Sequence, residues 1–231
     1  MYGLNAVALV FFGCINVLAY KLCKCPVSTR KKVISVLCAA LLSGNLIRYI
    51  VIYPLIIGTI MIPVEFSTVA YFAVPTILLI SKKRLHGWAA YSGLMAGFFY
   101  YMAMIISGGP IYAEFPAADV FISMFCHGSI YFCGFVTISS ELCSTKEAPS
   151  LAVGVILVAV NALVLRPFVA GNDGLLIYIL LDGAIIHRFL PQSAWVVAMP
   201  AYYLTVAALV LITIRGFFRR NKRQFLKFCT A

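Results

Sequence analysis

The chain has 231 residues, of which 63% are hydrophobic and only 11% charged, with a mean hydropathy of +1.01. A water-soluble domain of this length has no interior large enough to hide that much apolar surface, whereas a bilayer accepts it as an outer surface. A net charge of +11 in so apolar a chain is first of all a question of where the charges sit.

Taken from the start, the apolar runs predict seven spans: Leu4–Tyr20, Val33–Pro54, Ile60–Ile80, Trp88–Ser107, Ala118–Ile138, Leu151–Ala170 and Ala194–Ile214. Each is near the ~20 residues that cross ~30 Å of hydrocarbon. Runs of this kind without strict alternation predict helices and exclude a barrel. The first run has neither a basic start nor a small-residue cleavage site, and reads as a retained anchor. Leu175–Ile186 is apolar but too short to span, and an eighth crossing would carry the basic end to the outside. It is expected to be a re-entrant or interfacial segment on the outer side. The expected fold is all-α: a polytopic membrane bundle of seven transmembrane helices over 1–214, and a basic cytosolic tail over 215–231.

The charges support that topology. Lys21, Lys24, Arg30, Lys31 and Lys32 follow the first span, Lys82, Lys83 and Arg84 the third, and Lys146 the fifth. Arg215, Arg219, Arg220, Lys222, Arg223 and Lys227 follow the last. Basic residues in alternate loops place the N-terminus outside and the C-terminus in the cytosol. They favour anionic inner-leaflet lipid over nucleic acid. Membrane lipids are thus the expected partners, in a bacterial plasma membrane or a eukaryotic endomembrane, and the oligomeric state is open. The eight cysteines read as small apolar or cytosolic thiols, and Cys23-Lys24-Cys25 lacks the second ligand pair of a zinc site. No metal and no cofactor is expected.

Polar residues inside lipid are costly, so each one asks for a reason. Asn45 and Arg48 lie in the second span, Glu65, Ser67 and Thr68 open the third, Asp119, Ser123 and His127 lie in the fifth, and Asn161 and Arg166 in the sixth. Asn172, Asp173 and Asp182 follow. Span direction puts nearly all of these in the outer half, which points to an outward-facing pocket. Arg48 is expected to pair with Glu65, either as a structural ion pair or as a clamp for a lipid phosphate or carboxylate. His127, with Ser123 one turn before it and Tyr131 one turn after, is the best candidate base. The seventh span has no lysine for a retinal Schiff base, which excludes a rhodopsin.

The order Ile62-Pro63-Val64-Glu65-Phe66-Ser67, then Phe125-Cys126-His127-Gly128, then Asn161 and Gly171-Asn172-Asp173 resembles the YwaF-type integral membrane proteins of bacteria and the related transmembrane-protein-164 acyltransferases. The resemblance covers roughly residues 45–215 and rests on Pro63, the His127-Gly128 pair and Asn172. It implies seven spans and, by position, Ser67 as acyl carrier and His127 as base. Glu65 stands where the family pattern has a histidine and Ser67 where it has a cysteine; a serine needs a stronger base than a cysteine does.

Three readings follow. In the first, the chain is a lipid acyltransferase or ester hydrolase: Ser67 attacks, His127 takes the proton and Glu65 or Asp119 orients the histidine. Arg48, Asp119, Asn161, Arg166, Asn172 and Asp173 then bind substrate. In the second it is a small-solute transporter or channel with the outer cluster as vestibule. In the third it is a non-catalytic membrane protein that binds a lipid or a partner subunit.

Overall fold

A computed structural model describes residues 3–58, 62–80, 83–107, 117–165, 168, 186 and 190–229. Arg166, Asn172, Asp173 and nearly all of the expected re-entrant segment 175–186 lie outside the described residues. Within the described residues seven principal helices run as α1 Gly3–Cys23, α2 Val27–Ile47, α3 Phe66–Ile80, α4 Lys83–Ser107, α5 Ala117–Ser140, α6 Ala148–Leu165 and α7 Trp195–Cys229. Among the described residues, six helical stretches are long and apolar enough to cross a membrane; α3 is apolar but shorter. Large apolar side chains such as Leu55, Ile106 and Val196 are at least 80% exposed. Water would drive such a surface to aggregate, whereas lipid solvates it. The chain is a multi-pass helical membrane protein.

Three spans depart from their expected form. The second continues past Ile47 through a π-helical stretch, Arg48–Ile52, into Tyr53–Ile57. Pro54 has no N–H to give to the carbonyl four residues back, and the register widens there. Gly58, at φ 76°, closes the helix in the left-handed conformation, its N–H donating to the Pro54 carbonyl at 3.0 Å. The third span starts at Phe66 rather than Ile60, because Pro63 disfavours helix at Ile62 and leaves 62–64 without regular structure. The last span is longer than expected: α7 runs unbroken to Cys229, 35 residues or ~52 Å, so the basic segment 215–229 is helical and extends well beyond the hydrocarbon thickness. Ser144 and Glu147 form a reciprocal capping box that starts the turn leading into α6.

Helix α5 is the centre of the bundle, buried almost continuously from Cys126 to Ser139. It packs most closely on α4, and glycines make that approach possible. A Cβ at Gly93 would lie 2.5 Å from the Ile130 carbonyl oxygen, and one at Gly134 2.7 Å from that of Ala90. Backbone cannot swing aside as a side-chain tip can. Gly134→Val is therefore expected to cost ~1–3 kcal/mol, read as a lower thermal midpoint in detergent.

The end of the bundle that carries the Lys/Arg clusters is knit by buried polar groups. Arg30, 4% exposed, donates from Nε to the Cys25 carbonyl at 2.8 Å, from Nη1 to that of Ser139 at 3.1 Å and from Nη2 to that of Phe228 at 3.1 Å. It is not the loop-surface charge expected of it. Asn221 is fully buried; its Nδ2 donates to the carbonyls of Ile138 and Glu141 at 2.9 and 2.7 Å, and its Oδ1 accepts from the Cys143 N–H at 2.9 Å. These two residues satisfy the orphan carbonyls at the end of α5 and lock α2 and α7 onto it.

Beside them His86 Nδ1 and Glu141 Oε2 lie 2.7 Å apart. The hydrogen bond from His86 holds the Glu141 carboxyl below the usual carboxylate range, against the opposing effect of burial. A carboxyl so depressed adds stability above its unfolded value of ~4.3 and loses it as pH falls through the lower folded value. Glu141→Gln is accordingly expected to flatten the acid limb of a stability-against-pH curve below about pH 4, with little change in its shape near neutrality.

Candidate functional site

At the opposite end of the bundle, the final turns of the second span, the start of α3 and the first half of α5 converge. They enclose a cavity of about 190 Å³. The π-helical stretch and its continuation contribute Arg48, Tyr49 and Tyr53; the segment before α3 contributes Ile62 and Glu65, and the start of α3 Ser67, Thr68 and Tyr71; α5 contributes Ser123 and His127. The local sequence explains the arrangement. The widened turn at Arg48–Ile52 rotates Arg48, Tyr49 and Tyr53 onto one wall, and Ser67 and Tyr71 are four residues apart on one helical face.

His127, 5% exposed, is the most enclosed of the expected residues that line the cavity. Its Nδ1 lies 2.8 Å from the Ser123 carbonyl, which can only accept, so we assign the proton to Nδ1. That leaves Nε2 as the lone pair. The Tyr71 hydroxyl sits against the ring edge, 3.2 Å from Nε2 and 2.6 Å from Nδ1. The Ser123 hydroxyl lies 3.4 Å from Nδ1. The Tyr100 ring stacks on the imidazole with centroids 3.6 Å apart and planes within 10°, and the Tyr71 ring meets it edge-on. Aromatic rings on two sides and a carbonyl behind hold the imidazole in one orientation.

Arg48 pairs with Asp119. Its Nη2 lies 3.3 Å from Asp119 Oδ1, and its guanidinium lies 4.9 Å from the centre of the Tyr53 ring. Asp119 thus acts on the site through Arg48. Glu65 lines the cavity, and its carbonyl accepts from the Thr68 hydroxyl at 2.9 Å. Ser67 and His127 share the cavity without a hydrogen bond between them; Tyr71 is the residue that reaches the imidazole. Tyr131, expected on the histidine's face, instead donates to Asn16 Oδ1 at 2.9 Å. Asn161 lies off the cavity wall and donates from Nδ2 to the Pro63 carbonyl at 3.4 Å, so it positions the segment before α3 rather than a substrate. Asn45 is buried deeper, accepting from Cys126 Sγ at 3.8 Å.

No protein-family model, curated protein or solved structure matches the chain. The site therefore has to be read from its own chemistry. It holds one imidazole with an orienting acceptor, three aliphatic hydroxyls (Ser67, Thr68, Ser123), a phenol in contact with the imidazole, a guanidinium and the Glu65 carboxyl. That set can move a proton between a hydroxyl and a histidine and can neutralise an anionic group nearby. Tyr71, Tyr100, Tyr49 and Tyr53 escaped the sequence reading because tyrosine is at home in apolar runs. The one available signal was spacing: Tyr71 is a single turn from Ser67. Among the described residues no group of three or more His, Cys, Asp and Glu is placed to hold a metal.

Proposed function

We propose that this membrane protein acts on ester bonds of anionic lipids, as an acyltransferase or ester hydrolase, at the cavity around His127. One observation carries the reading: a serine hydroxyl, a phenol hydrogen-bonded to an oriented imidazole, and a guanidinium line a single cavity inside a membrane bundle. The resemblance to the transmembrane-protein-164 acyltransferases at Pro63 and His127-Gly128 is the reason for choosing an acyl group. The outward orientation follows from the placement of the basic residues.

In this reading Ser67 Oγ attacks the acyl carbonyl carbon. Its proton passes to the Tyr71 hydroxyl as that hydroxyl gives its own to His127 Nε2. The acyl–oxygen bond then breaks, and the departing alcohol takes the proton from His127. A second lipid hydroxyl, or water, releases the acyl group from Ser67 by the reverse sequence. The Ser123 carbonyl supplies the orienting acceptor for which Glu65 or Asp119 was expected. Arg48, kept in place by Asp119, faces the lipid phosphate.

The test is covalent labelling of the full chain in phospholipid vesicles by a lipid-like fluorophosphonate. The expected result is labelling of the wild type and none of Ser67→Ala; equal labelling of the two ends the proposal. A second reading, a small-solute transporter, draws on the cavity's modest volume. It needs a polar path past His127, where Ala70, Val74, Ile130 and Cys133 instead form an apolar floor. Solute flux into liposomes distinguishes the two.

A further inference from the structure

On another flank of α5 lies a second, larger cavity of different character. Helices α1 and α2 are consecutive in the chain, yet each packs on α5 rather than along the other. Between them runs an open groove of about 580 Å³. Ile15 and Leu18 of α1 form one wall, Val36 of α2 the other, and Phe125 and Phe132 of α5 the floor; Lys32 closes one end. From Lys32 to Ala40 the groove follows eight residues of α2, ~12 Å of axis, which is less than half of the hydrocarbon thickness. It runs from Lys32, at the end of the bundle that carries Arg30 and Asn221, to the middle of the membrane beside Phe11 and Phe125, so a lipid that enters it comes from the leaflet on the Arg30–Asn221 side.

We propose that this groove binds an anionic phospholipid of that leaflet, with an acyl chain between α1 and α2 and the phosphate at Lys32. The volume lies within the range of ligand pockets, and the lining is almost wholly apolar. The argument for an anionic lipid is charge complementarity. Lys32 is exposed at the end of an apolar slot, and among the described residues it belongs to no ion pair. Lys21, Lys24 and Lys31 are exposed at the same end. A lysine that lies its stem along apolar surface and holds its ammonium at the interface meets a phosphate there. The site is separate from the His127 cavity and does not depend on the activity proposed for it.

The experiment uses the full chain reconstituted in vesicles of equal phosphatidylglycerol and phosphatidylcholine, extracted gently, with co-purifying lipid measured by native mass spectrometry. The wild type is expected to retain phosphatidylglycerol over phosphatidylcholine by about fivefold, the factor for one basic residue near anionic headgroups. Lys32→Gln should bring the ratio near one, and Ala40→Phe, which fills the slot, should reduce both lipids. Lys31→Gln, outside the lining, should leave the ratio unchanged. Equal retention by the wild type overturns the proposal, as does an equal loss of selectivity in Lys31→Gln and Lys32→Gln, which would mean general surface attraction. Cross-linking of two chains through Val36→Cys would show that a second copy covers the groove, and would overturn it too.

Discussion

Arg30→Ala is expected to destabilise the protein by about 3–5 kcal/mol, the largest effect of any single substitution outside the His127 cavity. The side chain is 4% exposed and its three donor nitrogens reach carbonyls on three separate stretches of chain: Cys25, Ser139 and Phe228. Truncation removes charge-assisted hydrogen bonds worth ~1.5–3 kcal/mol each before relaxation, and leaves the Ser139 carbonyl only the weak Cys229 thiol donor at 3.2 Å. Arg30→Lys should recover only part of the loss, because one ammonium cannot span the positions that a planar fork reaches. Thermal unfolding in detergent gives the magnitude. Maleimide reaction at the buried Cys23, at the end of α1, tells whether the damage is at this end of the bundle. A midpoint unmoved in Arg30→Ala would mean that water satisfies these carbonyls and that the guanidinium does not hold α2, α5 and α7 together.

The largest functional effect is expected at the phenol–imidazole contact. His127→Gln should slow acylation of Ser67 by roughly 10²–10⁴-fold, the usual contribution of a positioned base. Tyr71→Phe is the more searching variant. It keeps the ring that packs edge-on against the imidazole and removes only the hydroxyl that lies 3.2 Å from Nε2. If the proton of Ser67 travels through that hydroxyl, Tyr71→Phe should slow acylation nearly as much as His127→Gln, with the thermal midpoint almost unchanged. If Tyr71 only packs, the rate stays put. Arg48→Gln should behave differently: if Arg48 holds the lipid phosphate before and during reaction, its loss raises KM while kcat holds. A fall in kcat alone would place Arg48 at the reacting carbonyl instead of at the headgroup.

What could be read in the residues was what depends on solvent and on short-range spacing. Long apolar runs demand lipid and helix irrespective of tertiary contacts, and so the seven helices were legible with errors only at their ends. Those errors have local causes: Pro63 delays α3, Pro54 widens the turn before it, and the buried Phe217, Phe218 and Asn221 continue α7 beyond the expected span. That Arg48, Glu65, Ser67 and His127 meet at one depth was also legible, because span direction and distance along a helix fix depth.

Who meets whom was not. Depth leaves the rotation of each helix about its axis and the order of helices around α5 undetermined, and both are set by packing. Gly93 and Gly134 let α4 close onto α5, which brings Tyr100 over His127; the rotation of α3 brings Tyr71 to the imidazole; and the widened turn hands Arg48 to Asp119. A chain in lipid announces its helices through single-residue energies, whereas the partners inside the bundle come from close contacts between surfaces that hydropathy cannot tell apart.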